Sequence, residues 1–231
     1  MNYKAVAPLA LLVLAGAAQA QLYSWDSGVS QNSVGLTAGG DIAWLEQFSV
    51  VGAFSQINSI STCFGTPLFP GSNGVTVGET FKVFVWSGTP TGTGVDVPTL
   101  LSSSNGTVAA GSIDTDVMQT VNISATITGT SNFFIGAVVA GTAGGFPAPL
   151  QQTDPGGFPI QPYSWVAGNT TPGGFDPNNL TGGIGLSTNS SVGFPGNWLI
   201  RANASAVPEP FTLTGMALAL GSLALRRRKK A

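Results

Sequence analysis

The stretch TVNISATI, Thr120 to Ile127, decides the fold. Val121, Ile123, Ala125 and Ile127 fall on one side, while Asn122, Ser124 and Thr126 fall on the other. A period of two is that of a strand with one buried and one wet face. Working outward, Asp41 to Val51 repeats the pattern, with Ile42, Trp44, Phe48 and Val50 alternating with Ala43, Leu45, Gln47 and Ser49. Glu46 falls on the apolar side of that run. A carboxylate there predicts an ion pair with Arg201 or Lys82, or else a bulge that turns it outward.

Phe81 to Trp86 and Phe133 to Val139 are apolar on both faces apart from Lys82, which predicts central strands covered on both sides. Shorter strand candidates are Leu22 to Trp25, Ser33 to Thr37, Ile57 to Phe64, Thr99 to Ser103 and Thr107 to Ser112. Ile160 to Val166, Gly183 to Leu186 and Asn197 to Asn203 complete the set. Turn signals separate them, among them Gly39-Gly40, Gly144-Gly145 and Asn105-Gly106. Asn105-Gly106, between LLSSS and TVAAG, predicts a hairpin turn. Sustained helical periodicity is missing from the body of the chain. The expectation is an all-β, single-domain β-sandwich or jelly roll over residues 21–206.

From Gly141 to Pro195 the texture changes to Pro, Gly and Asn, and DPGGFP and TPGGFDPNN share a Pro-Gly-Gly-Phe core. This predicts long ordered loops at one end of the sandwich, where ligands commonly bind.

Charge is scarce in the body. Lys82 and Arg201 stand against Asp26, Asp41, Glu46, Glu79, Asp96, Asp114, Asp116, Asp154 and Asp176. Two positive and nine negative residues give −7, whereas the whole chain carries −2 because its other cations lie near its ends. A surface of that sign repels nucleic acid. Abundant Val, Ile, Phe and Trp with few charges also exclude a disordered chain.

The chain has no histidine, which removes Ser-His-Asp and Cys-His catalysis and His-ligated zinc. Its single cysteine, Cys63, forms no intramolecular disulfide and reads as a buried small hydrophobe. Glu46 and Glu79 are the only glutamates of the body, so a carboxylate glycosidase would have to use them or the aspartates. Asp114-Thr115-Asp116 and Asp176-Pro177-Asn178-Asn179 offer oxygens without the spacing of a calcium loop and read as solvated turns. No metal or cofactor is expected. Trp44 and Trp86 lie within strong strands, while Trp25, Trp165 and Trp198 are candidates for exposed aromatic platforms. A glycan site would be a row of Tyr163, Trp165 and Trp198.

Both ends of the chain carry processing signals. Lys4, the apolar run Ala5 to Ala15 and the small-x-small triplet Ala18-Gln19-Ala20 predict a signal peptide over residues 1–20, cut by signal peptidase before Gln21. Residues 207–231 divide into Val207-Pro208-Glu209-Pro210, an uncharged apolar segment from Phe211 to Leu225, and the cations Arg226, Arg227, Arg228, Lys229 and Lys230. The prolines separate the domain from the apolar segment, expected to form a membrane-crossing helix with its cations on the cytoplasmic side. At 15 residues, it is shorter than the roughly 20 that span a bilayer.

This order closely resembles the PEP-CTERM sorting signal of exported bacterial proteins. The resemblance implies processing near Pro208-Glu209-Pro210 by an exosortase-type peptidase, after transient anchoring in the inner membrane. The body also resembles a recurring exported bacterial domain that combines a Trp-Asp-x-Gly opening (Trp25 to Gly28) with FKVFVWS, FFIGA and NWLIRA strands. That likeness implies a β-sandwich and nothing about activity. The sequence therefore reads as an exported, non-enzymatic surface or extracellular-matrix protein associated with exopolysaccharide or biofilm. The alternatives are a glycan-binding module acting on exopolysaccharide and, third, a histidine-free glycosidase.

Overall fold

A computed structural model of the chain describes residues 20–88, 98–153 and 159–207. These residues form an all-β domain of antiparallel ladders, with one short 3-10 turn at Ala110–Ser112. A four-stranded sheet runs in the order β1 (Ala20–Tyr23), β13 (Ile200–Ser205), β4 (Gln56–Thr62), β7 (Gln119–Thr126). A six-stranded sheet runs β11 (Ser187–Thr188), β10 (Ser164–Asn169), β3 (Gly40–Ser49), β8 (Asn132–Gly141), β5 (Thr80–Ser87), β6 (Thr99–Thr107). A short third sheet joins β12 (Asn197–Trp198), β9 (Ala148–Gln151) and β2 (Asn32–Val34).

The alternation along Thr120 to Ile127 appears as expected. Val121, Ile123, Ala125 and Ile127 are buried, and the residues between them are exposed. They share one core with Ile57, Ile60, Ile200 and Ala202 of the same sheet and with Ile42, Trp44, Val83, Val85 and Ile135 of the six-stranded sheet. Two open sheets sharing one apolar core is an arrangement consistent with a sandwich. Burying each Trp or Phe in such a core contributes roughly 1.5–3 kcal/mol.

The other faces of β3, β5 and β8 carry Ala43, Leu45, Phe84, Trp86, Phe134 and Val138, which form a second apolar cluster. Phe175, Leu180 and Leu186 pack on that cluster. Trp86 Nε1 donates to Pro177 O at 2.7 Å, and Asp41 accepts from Gly173 N and Phe175 N at 2.9 and 2.8 Å. Residues 173–186 of the Gly- and Pro-rich segment thus cover the outer face of the six-stranded sheet. This corrects the expectation of loops gathered at one end, and it explains why those strands are apolar on both faces.

Asn105 and Gly106 also depart from expectation. They lie inside β6, paired with Lys82 and Phe81. A side chain at 106 would run into the Phe81 ring and would meet Val121 Cγ2 at 2.7 Å. Glycine here makes room for an aromatic ring.

The expected signal helix and membrane-crossing helix fall on residues 1–19 and 208–231, outside the described residues. Among the described residues no helix is long and apolar enough to cross a membrane. Ala20 and Gln21 belong to β1, and Val207 N donates to Ala53 O at 3.0 Å.

Candidate functional site

Trp25 follows β1 and lies flat on the buried Phe48 of β3, with ring centroids 5.6 Å apart and planes 9° from parallel. Its Nε1 donates to Gln47 O at 2.9 Å, so stacking on one face and a hydrogen bond at one edge fix the indole. Tyr163, in the turn before β10, is 41% exposed and sets its ring 6.0 Å from that of Trp25, tilted by 37°. Tyr163 O accepts from Gln47 N at 3.0 Å, so both peptide groups of Gln47 hold the aromatic pair. Together with β1 and the ends of β3 and β8 these rings line an open groove of about 520 Å³. Leu22, Gln47, Ser49 and Asn132 contribute to the lining, which contains no charged side chain.

Beneath the groove lies a buried polar network. Asn197 Nδ2 donates to Trp25 O at 2.8 Å and to Pro159 O at 3.1 Å, and its Oδ1 accepts from Gln161 N at 2.8 Å. One side chain thus ties the segment bearing Trp25 to the segment bearing Tyr163. Glu46 is fully buried beside it. Its Oε1 accepts from Ser164 Oγ and from Trp198 N, both at 2.6 Å, and its Oε2 has no partner among the described residues. Burial pushes the carboxyl up to about 8, against the smaller opposing pull of those two hydrogen bonds. Burial therefore favours the protonated, uncharged form of Glu46.

The expected Glu46 ion pair is thereby overturned. Arg201 pairs with Asp26, donating from Nε to both carboxylate oxygens at 3.1 Å and from Nη2 to Oδ1 at 2.5 Å. Asp26 is 1% exposed and holds Arg201, so the one guanidinium among the described residues is already taken. The Asp26 hydrogen bond raises the Arg201 pKa further. A bulge is not the answer either, because β3 holds its register with β8 and β10 through Glu46. The carboxyl is accommodated by losing its charge.

The proposed aromatic row is also corrected. Trp198 is 1% exposed in the main core and donates its Nε1 to Trp165 O at 2.7 Å. Trp165 faces the opposite side of the six-stranded sheet from Ser164 and meets Phe134 edge-on, in the second cluster. Alternation along β10 sends it there, whereas Tyr163 precedes the strand. Of the three, Tyr163 alone lines the groove, and Trp25 is its partner.

The aspartates of the 114–116 stretch are anchors rather than solvated turn residues. Asp114 accepts from Gly71 N at 2.6 Å and Asn73 Nδ2 at 2.8 Å, while Asp116 accepts from Ser30 N at 3.0 Å and Ser30 Oγ at 2.6 Å. Asp176 caps its own turn through Asn178 N at 2.9 Å. Among the described residues no group of three or more His, Cys, Asp or Glu is placed to hold a metal ion. Glu79 accepts from Thr76 N at 2.9 Å in the turn before β5. Cys63 is buried and free, and burial pushes its thiol far up, away from nucleophilic character.

The chain matches no known protein family and no curated protein. Among solved structures, a clostridial cysteine protease, Cwp84 after propeptide cleavage, is similar at a TM-score of 0.48 and 13% sequence identity over 81% of this chain. The chain spans 40% of that protein.

Proposed function

We propose that this is an exported, non-enzymatic surface or extracellular-matrix protein, with residues 21–206 as a sandwich-type extracellular domain. In this reading signal peptidase acts before Gln21, and an exosortase-type peptidase acts at Val207-Pro208-Glu209-Pro210. The cations Arg226 to Lys230 hold the tail on the cytoplasmic side until then. The observation that carries the reading is the order of the last 25 residues: Pro-Glu-Pro, apolar run, cationic cluster.

The first strand is compatible with cleavage before Gln21. Cleavage before Gln21 removes only the Ala20–Ser205 rung and leaves Gln21, Leu22 and Tyr23 paired with β13. Tyr23 secures what remains, donating from its hydroxyl to Phe54 O at 2.8 Å and accepting from Val51 N at 3.0 Å. Glu46 and Glu79, the two glutamates of the body, are both engaged in hydrogen bonds within the fold.

Mass spectrometry of the surface-located protein tests the export half. The expected result is Gln21 at the N-terminus. Recovery of Met1 to Ala20 on the exported protein overturns it.

A further inference from the structure

We propose that the groove lined by Trp25 and Tyr163 binds a neutral polysaccharide, with the exposed Tyr163 ring and the open part of the Trp25 indole as its aromatic surface. The inference rests on the reading above only in placing the domain where it meets polymers outside the cell.

The chemistry of the lining selects the ligand class. The body carries a net −7, yet no charged side chain borders the groove, so in the full chain an ionic ligand finds no side-chain counter-charge there. What borders it is two aromatic rings flanked by the Gln47 amide and by Ser49 and Asn132, where Ser49 Oγ donates to Asn132 Oδ1 at 2.7 Å. A pyranose ring has the complementary make-up: an apolar C–H face that lies on an aromatic plane, and an equatorial rim of hydroxyls that pairs with amides. Aromatic side chains combine large contact area with few rotatable bonds, and they suit such surfaces. The groove is open rather than enclosed, which admits a chain passing through. An enclosed pocket suits a small molecule buried on most sides.

The platform is also built in advance. Phe48 beneath the indole, Gln47 O at its Nε1 and Asn197 at its carbonyl leave Trp25 little freedom to lose on binding. Trp25 therefore keeps one face on Phe48 and is half-buried, with the Tyr163 ring a tilted neighbour 6.0 Å away. Tyr163 is exposed and supplies the second, tilted surface, its hydroxyl without a hydrogen-bond partner among the described residues.

Affinity electrophoresis of the full chain in a polyoxyethylene detergent, which carries no sugar, tests the proposal. The native gels contain dextran, a β-1,3-glucan, hydroxyethylcellulose or, as the polyanionic comparison, alginate. The expected result is retardation by at least one neutral polymer. Trp25→Ala and Tyr163→Ala should each weaken that retardation about tenfold. Lys82→Ala, remote from the groove, should leave it unchanged. Tyr163 is exposed, so its variant should keep the wild-type melting temperature and remain informative even if Trp25→Ala does not fold. No retardation by any neutral polymer overturns the proposal. So does retardation by alginate alone, or undiminished binding by a folded Tyr163→Ala protein. Each of these outcomes is independent of how the tail is processed, which is read in cells by other means.

Discussion

A neutral carboxyl at Glu46 ties the stability of this domain to pH. In the unfolded chain the group titrates near 4.5, and in the folded chain burial holds it up to about 8. Below pH 4.5 both states are protonated and this contribution to stability is fully present. Between the two values unfolding releases a proton, so each step up in pH favours the unfolded chain, and the contribution is lost as pH rises through about 8. Glu46→Gln keeps an oxygen for Ser164 and Trp198 but removes the titration. Thermal melts from pH 5 to 8 should then show a flatter fall in melting temperature for the variant than for the wild type. Parallel curves would show that unfolding releases no proton from Glu46 in that window. The alternation of β3 shows in the sequence that Glu46 points inward, but not how it is accommodated. Its partners, Ser164 and the amide of Trp198, lie more than a hundred residues away, and Arg201 was already committed to Asp26.

Among the elements, β6 shows how a local signal yields to a distant contact. Asn-Gly is a strong turn former because both residues tolerate positive φ. At 105 and 106 the chain instead continues straight, since Gly106 is needed beneath the Phe81 ring. Gly106→Ala should cost on the order of 1–3 kcal/mol, the usual range for overpacking a filled site. Gly111→Ala, where a side chain meets nothing within 4 Å, should cost far less. Denaturant melts of the two variants check this, and equal stabilities would contradict the packing account. The strands with one wet face, β7 above all, were legible because solvent imposes the alternation. β9 was not, because Ala148 to Gln151 is buried throughout and includes Pro149, which argues against a paired strand. Trp25 and Asp26 were visible as a motif, and NWLIRA as another, but nothing local says that Asp26 meets Arg201 or that Asn197 holds Trp25. Exposure of the aromatic residues was illegible for the same reason: it depends on which sheet face each strand turns to the core.

At the scale of the whole molecule, the first and last strands are neighbours. Ala20 stands opposite Ser205, and Val207 N donates to Ala53 O, so both boundaries of the described domain lie at one end of the β1–β13 pair. The aromatic groove, lined in part by Leu22, lies beside that pair. Processing at both boundaries would release the domain with its groove intact. The tail is where a sorting signal and a simple anchor give different results. An anchor needs only apolar length and terminal positive charge, whereas a peptidase needs the helix-incompatible segment that two prolines supply. The decisive measurement is an immunoblot for an epitope placed after Ala231, comparing wild type with a variant in which Pro208, Glu209 and Pro210 are all alanine. The account predicts that mature wild-type protein has lost the epitope, and that the variant keeps it and stays in the inner membrane. Equal retention of the epitope by both proteins would contradict it and leave the tail as an anchor.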